Sequence, residues 1–170
     1  HPHTTGGIGI LGTKASQEIM EQCDALLIVG STFPYIEYYP QPGKARIVQI
    51  DWNPERIGLR CPVDVGLVGH AGETLRRLSA RLEQKQDDTF LSKAQRSMAE
   101  WRDMMRQAEA EASSPLKPQM ILRRFGERMA DNAILATDSG QNTELAARHI
   151  DLGPENAFAV SGTLASMSCG

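Results

Sequence analysis

The sequence predicts an α/β fold built on parallel sheets, and three observations carry that prediction. First, "DALLIVG" (24–30) and "RIVQID" (46–51) are unbroken apolar runs rich in branched residues. Such runs suit strands buried on both faces, because a half-solvated strand would alternate. Second, helical patterns stand on either side of these runs. Third, after a break at "SSPLKP" (113–118), a second α/β unit begins.

The chain opens with "TTGGIGILGTKAS" (4–16), where Gly7, Gly9 and Gly12 spell G-x-G-x-x-G. That spacing marks a dinucleotide-binding turn only where a strand enters it and a helix leaves it. A helix is predicted over 15–22, with Thr13 or Ser16 as its cap. Only "HPHTT" precedes the glycines, too short and polar for a buried strand. Either the motif is something else or the chain starts inside a domain.

A weaker strand is predicted at "VDVGLVG" (63–69), after a turn at "NPERIG". A helix over 70–85 follows, with apolar residues at 71, 75, 78 and 82 on one face. Residues 87–112 read as a linker helix, its stripe of Phe90, Ala94, Met98, Trp101, Met105 and Ala108 serving as packing surface. The second unit runs as a helix opened by Pro118, an apolar strand over 132–140, a helix from Gln141, and "AFAVSGTLASMSCG" after a Gly-Pro turn.

Composition limits the function. The 170 residues suit one domain or parts of two. The formal net charge of −3 gives no basic excess for nucleic acid, and no apolar run approaches the ~18 residues of a membrane span. Cys23, Cys61 and Cys169 are scattered, which favours buried thiols in a reducing cytoplasm over a disulfide framework. No signal peptide is visible, and both ends read as cut from a larger protein.

In open parallel sheets, ligands bind at the carboxyl ends of strands. Three segments lie there. "GSTFPY" (30–35) offers hydroxyls, backbone N–H groups and flat rings; it either holds a planar ring or phosphate-bearing chain, or merely covers the core. Asp51 ends the next strand and is either a ribose acceptor or a cap for "NPERIG". The opening glycine loop lets backbone approach a ligand, and the helix behind it favours phosphate. The four histidines suggest no site: His1 and His3 lack a third metal ligand, His70 starts a helix and His149 ends one.

Taken together, "GGIGILGTKAS…DALLIVGSTFPY…YYP…ARIVQIDWNPERIG…PVDVGLVGHAGETLRRL" resembles the central domain of thiamine-diphosphate enzymes. The likeness is strongest to pyruvate oxidase and pyruvate:quinone dehydrogenase, with acetolactate synthase a looser relative. "AILATDSGQNTELAARHI…SGTLASM" is similar to the start of that family's cofactor-binding carboxyl-terminal domain. The resemblance implies a three-layer, parallel-sheet domain of the kind that binds FAD or NAD, followed by part of a thiamine-diphosphate-binding α/β domain. The implied division is 1–86 for the second half of the central domain, 87–114 for a helical linker and 115–170 for the start of the next domain. It makes G-x-G-x-x-G a coincidence of spelling.

The resemblance also implies site residues. Ile8, Gly9, Ile10 and Leu11 would line FAD through their backbone. Ser31, Thr32, Phe33, Pro34 and Tyr35 would form the second FAD loop, and Asp51 would bind the adenosine ribose. Ala165, Ser166 and Met167 would touch thiamine diphosphate, with Met167 beneath the thiazolium ring. Gly140, Gln141 and Asn142 would lie beside the diphosphate. The family's catalytic glutamate and its Mg2+ ligands are expected outside these residues, so the piece alone is expected to be inactive.

The implied parent oxidises and decarboxylates pyruvate, passing electrons through FAD to a quinone or oxygen. It would be a cytoplasmic homodimer or homotetramer, with peripheral membrane contact through a carboxyl terminus outside this chain. Two other readings stand beside it. One is a non-redox thiamine-diphosphate enzyme, such as an acetolactate synthase or 2-oxoacid decarboxylase. The other is an isolated nucleotide-binding module without catalysis.

Overall fold

The computed structural model describes residues 1–111, 113–162 and 165–167; Cys169 lies outside them. The described residues form two compact units: residues 15–94, and residues 1–14 with those from 95 onward. Helix α1 (Lys14–Gln22) and helix α3 (Thr89–Ala110) each run from one unit into the other.

In the 15–94 unit, three strands make one parallel sheet in the order β1-β2-β3. They are β1 (Ala25–Val29), β2 (Arg46–Asp51) and β3 (Val65–Val68). The register sets Leu27 beside Val48 and Val48 beside Val65. The central strand is the buried one: Ile47, Gln49, Ile50 and Asp51 are all buried. Ile28, Tyr39 and Ile47 form the core, with Met20, Leu26 and Phe33 packed against it.

Burial on both faces holds for β2 but not for its neighbours. Leu27 of β1 is 43% exposed, and every residue of β3 is exposed. An apolar run such as 24–30 reads as buried on both faces because period alone cannot tell a central strand from an edge strand. Gly66 of β3 is still held closely: a Cβ there would stand 2.5 Å from Ile57 Cγ2.

Helix α2 (Ala71–Ser79) follows β3 and is shorter than the pattern to residue 85 suggests. Residues 81–90 are all exposed, Leu82 by 64%, so that stretch buries no apolar face to hold further turns. His70 sits at the N-cap position but makes no side-chain cap bond. Asp87 opens α3, where its Oδ1 accepts from Thr89 N at 2.9 Å.

The other unit pairs β4 (Ile134–Thr137) with β5 (Ala157–Val160), in parallel. Helix α4 (Pro118–Gly126) packs on helix α5 (Gln141–His149). α4 carries Pro at its first turn and ends near Gly126. His149, at the end of α5, is not solvent-exposed. It is buried, and its Nδ1 lies 2.8 Å from Glu109 Oε1 on α3. Among the described residues, no helix is long and apolar enough to cross a membrane.

Candidate functional site

The carboxyl edge of the three-stranded sheet is organised around Asp51. Gly30 N–H, just past β1, donates to Ile50 O at 2.9 Å, and Gly69 N–H, just past β3, donates to Asp51 O at 2.9 Å. Two glycines therefore flank the tip of the central strand. Gly30 has φ +59°, a conformation that favours glycine, and a Cβ there would meet nothing within 4 Å. The edge beside Asp51 is open at that point.

Asp51 itself is 1% exposed. Its Oδ1 accepts from Asn53 N at 3.0 Å, closing an Asx turn. Its Oδ2 is buried with no hydrogen-bond partner. The cap of the short helix Pro54–Arg56 is Asn53, whose side chain accepts from Glu55 N at 3.0 Å. Capping thus belongs to Asn53, and one carboxylate oxygen of Asp51 remains unused. A buried acceptor without a donor costs about 1–3 kcal/mol, and more when charged.

The loop after β1 divides between packing and exposure. Phe33 is half-buried and packs on the core, with the rings of Tyr35, Tyr38 and Tyr39 at 5.4, 6.1 and 6.1 Å. Tyr39 Oη donates to Phe33 O at 3.0 Å. Ser31 accepts from Phe33 N at 3.4 Å. Phe33 is therefore an anchor, while Ser31, Pro34 and Tyr35 remain exposed and Thr32 partly so.

The glycine loop belongs to the other unit. It closes on itself: Gly12 N–H donates to Gly9 O at 2.8 Å, and Thr13 N–H to Gly7 O at 3.1 Å. Gly6 and Gly9 have φ +86° and +84°. A Cβ on Gly12 would stand 2.6 Å from Ile8 Cα. The spacing of Gly7, Gly9 and Gly12 serves this closure, with no strand entering it. Ile10 and Leu11 are exposed at its tip, Ile8 and Gly9 partly so. Ile10 O accepts from Arg148 Nη2 at 3.0 Å.

In the same unit, Gly140 caps α5 at φ +141°, with Gln141 and Asn142 exposed at the helix start. Ser139 N–H donates to Ser166 O at 3.4 Å, and Ser139 Oγ donates to Ser161 O at 2.7 Å. These bonds bring residues 165–167 beside the turn that leads into α5. Ala165 holds φ +50°, and Met167 is 74% exposed. Among the described residues, no cluster of His, Cys, Asp or Glu could hold a metal ion.

With that geometry in view, the comparisons decide the family. Residues 1–78 match the thiamine pyrophosphate enzyme central domain. YdaP of Bacillus subtilis (strain 168), described as thiamine pyrophosphate-containing, is 41% identical across 100% of this chain and 29% of its own length. Residues 1–78 belong to the thiamine pyrophosphate enzyme central-domain family. Pyruvate oxidase of Lactiplantibacillus plantarum is 26% identical over 100% of the chain and 28% of its own length. Sulfoacetaldehyde acetyltransferase of Rhodobacter capsulatus is 31% identical over 84% of the chain and 28% of its own length. The chain thus spans less than a third of each of these relatives. Its α/β architecture, with parallel strands, is that of the central domain it matches.

Proposed function

We propose that this chain is part of a thiamine-diphosphate enzyme acting on a 2-oxo acid, pyruvate, and that its 15–94 unit holds the adenosine end of FAD. One observation carries the flavin reading: the buried, unpartnered Oδ2 of Asp51 beside the open edge at Gly30. A ribose hydroxyl placed there would donate to Oδ2 and relieve the buried acceptor. The residues fit the group on that ground.

Within this reading each segment has a task. Asp51 orients the ribose while its Oδ1 stays committed to Asn53. Phe33 fixes the loop to the core, so that Ser31, Thr32, Pro34 and Tyr35 present hydroxyls and one ring from a rigid base. In the other unit, Ile8–Leu11 present their backbone at the tip of the glycine loop. Gly140, Gln141 and Asn142, at the start of α5, would hold a diphosphate by N–H groups and the helix dipole. Ala165, Ser166 and Met167 would border the thiamine ring. When bound, thiamine diphosphate supplies an electron sink for decarboxylation and FAD accepts the electrons. The electrons would pass on to a quinone or oxygen. Mg2+ is assigned to residues outside those described, and no step is derived through it.

A second reading is favoured by the 31% identity to sulfoacetaldehyde acetyltransferase. In that case the parent performs non-redox thiamine-diphosphate chemistry and Asp51 holds a non-redox nucleotide or none. Purified full-length protein separates the two. The first reading expects bound flavin that bleaches on addition of pyruvate. A colourless protein with full carboligase activity supports the second.

A further inference from the structure

A cavity of about 660 Å³ in the 15–94 unit lies at the other end of the sheet from Asp51. It is lined by residues at the amino-terminal ends of all three strands: Asp24 before β1, Arg46 and Ile47 opening β2, and Val63 and Asp64 before β3. This is not the edge at which parallel sheets take nucleotides.

One part of the cavity's wall is apolar. Ile36, Tyr39, Val63 and three prolines (Pro40, Pro42 and Pro62) line it. Tyr39 turns its hydroxyl away to Phe33 O, leaving the ring for packing. The charges on the wall are unequally committed. Asp64 accepts from Ile47 N at 2.8 Å and pairs with Arg46 at 3.0 Å, so those two side chains neutralise one another. Lys44 and Arg60 also line the cavity, and neither side chain makes a hydrogen bond or ion pair among the described residues. Asp24 alone opposes them.

We propose that this cavity binds a small organic monoanion with an apolar body, of the medium-chain carboxylate class. An apolar patch with a few convergent polar groups beside it is the usual make-up of a small-molecule site. Lys44 and Arg60 supply charge-assisted hydrogen bonds to the carboxylate. The prolines and Tyr39 cover the tail. This site is independent of the nucleotide reading.

Cys61 lines the same cavity and reports its occupancy. Octanoate is the probe. The chain is titrated with octanoate and pulsed with a maleimide, and labelling of each cysteine peptide is read by mass spectrometry. Octanoate is expected to slow labelling of Cys61 in a saturable way and to leave Cys23 labelling unchanged. The Lys44→Gln/Arg60→Gln variant removes two exposed charges without touching the core. It is expected to weaken protection about tenfold or more. Octanol, which has the tail without the charge, is expected to protect as weakly as octanoate does in the variant. Absence of Cys61 protection at millimolar octanoate, or equal protection in the variant, overturns the proposal.

Discussion

Asn53 N–H donates to only one oxygen of Asp51, at 3.0 Å, and the other oxygen is buried with no partner. A fold that needed Asp51 only for its turn would be served as well by an amide. Asp51→Asn keeps the Oδ1 acceptor and removes a buried charge. It is expected to leave stability without ligand within about 1 kcal/mol of the parent, the lost charge being offset by a buried amide donor without an acceptor. Urea unfolding of the two proteins checks this; a clear loss of stability contradicts it.

The glycine loop makes a second, sharper prediction. Gly12→Ala places Cβ against the backbone of Ile8, which cannot move aside without opening the loop. A cost of about 1–3 kcal/mol is expected. At Gly7 the nearest atom to an added Cβ is 3.9 Å away, so Gly7→Ala should stay within about 0.5 kcal/mol of the parent. Equal losses at the two positions would show that loop closure is not what requires the glycines.

A third test is the buried pair of His149 and Glu109, which ties α5 to α3 at 2.8 Å. Removing Glu109 takes this partner from His149 Nδ1, and removing His149 leaves Glu109 with Arg123 at 3.9 Å. A double-mutant cycle with His149→Ala and Glu109→Ala should give a coupling of about 0.5–3 kcal/mol. Additive losses would mean that the contact contributes nothing of its own.

Asp64 gives the pH dependence. The Ile47 N–H and then Arg46 hold its carboxyl below the usual carboxylate range. Its folded pKa lies below its unfolded value, so its contribution is complete above about pH 4 and is lost as pH falls through the folded pKa. Unfolding midpoints from pH 5 down to pH 2 should decline less steeply in Asp64→Asn than in the parent. Parallel declines would remove Asp64 as the cause.

The sequence disclosed the strands because branched apolar runs ending in Gly30 and Asp51 leave little choice of local structure. It disclosed the family because "FPY…YYP…QID" is long and ordered. It did not disclose which strands are edges, since Leu27 and Val65 look as buried as Val48 until the sheet order is known. The role of His149 was missed because Glu109 is 40 positions away and on another helix. The cavity at the amino-terminal edge was missed for the same reason. It is assembled from residues 36–47 and 60–64, whose convergence is a property of the folded sheet. Asp51 is legible as a choice between cap and ligand group, and the bond from Glu55 N to the Asn53 side chain gives the cap to Asn53.

The most direct measurement is FAD titration of the parent chain and Asp51→Asn, followed by quenching of flavin fluorescence. The account predicts saturable binding to the parent, weakened about tenfold or more in the variant while its fold is intact by circular dichroism. Equal affinity in the two proteins, or no saturable binding to either, would contradict it.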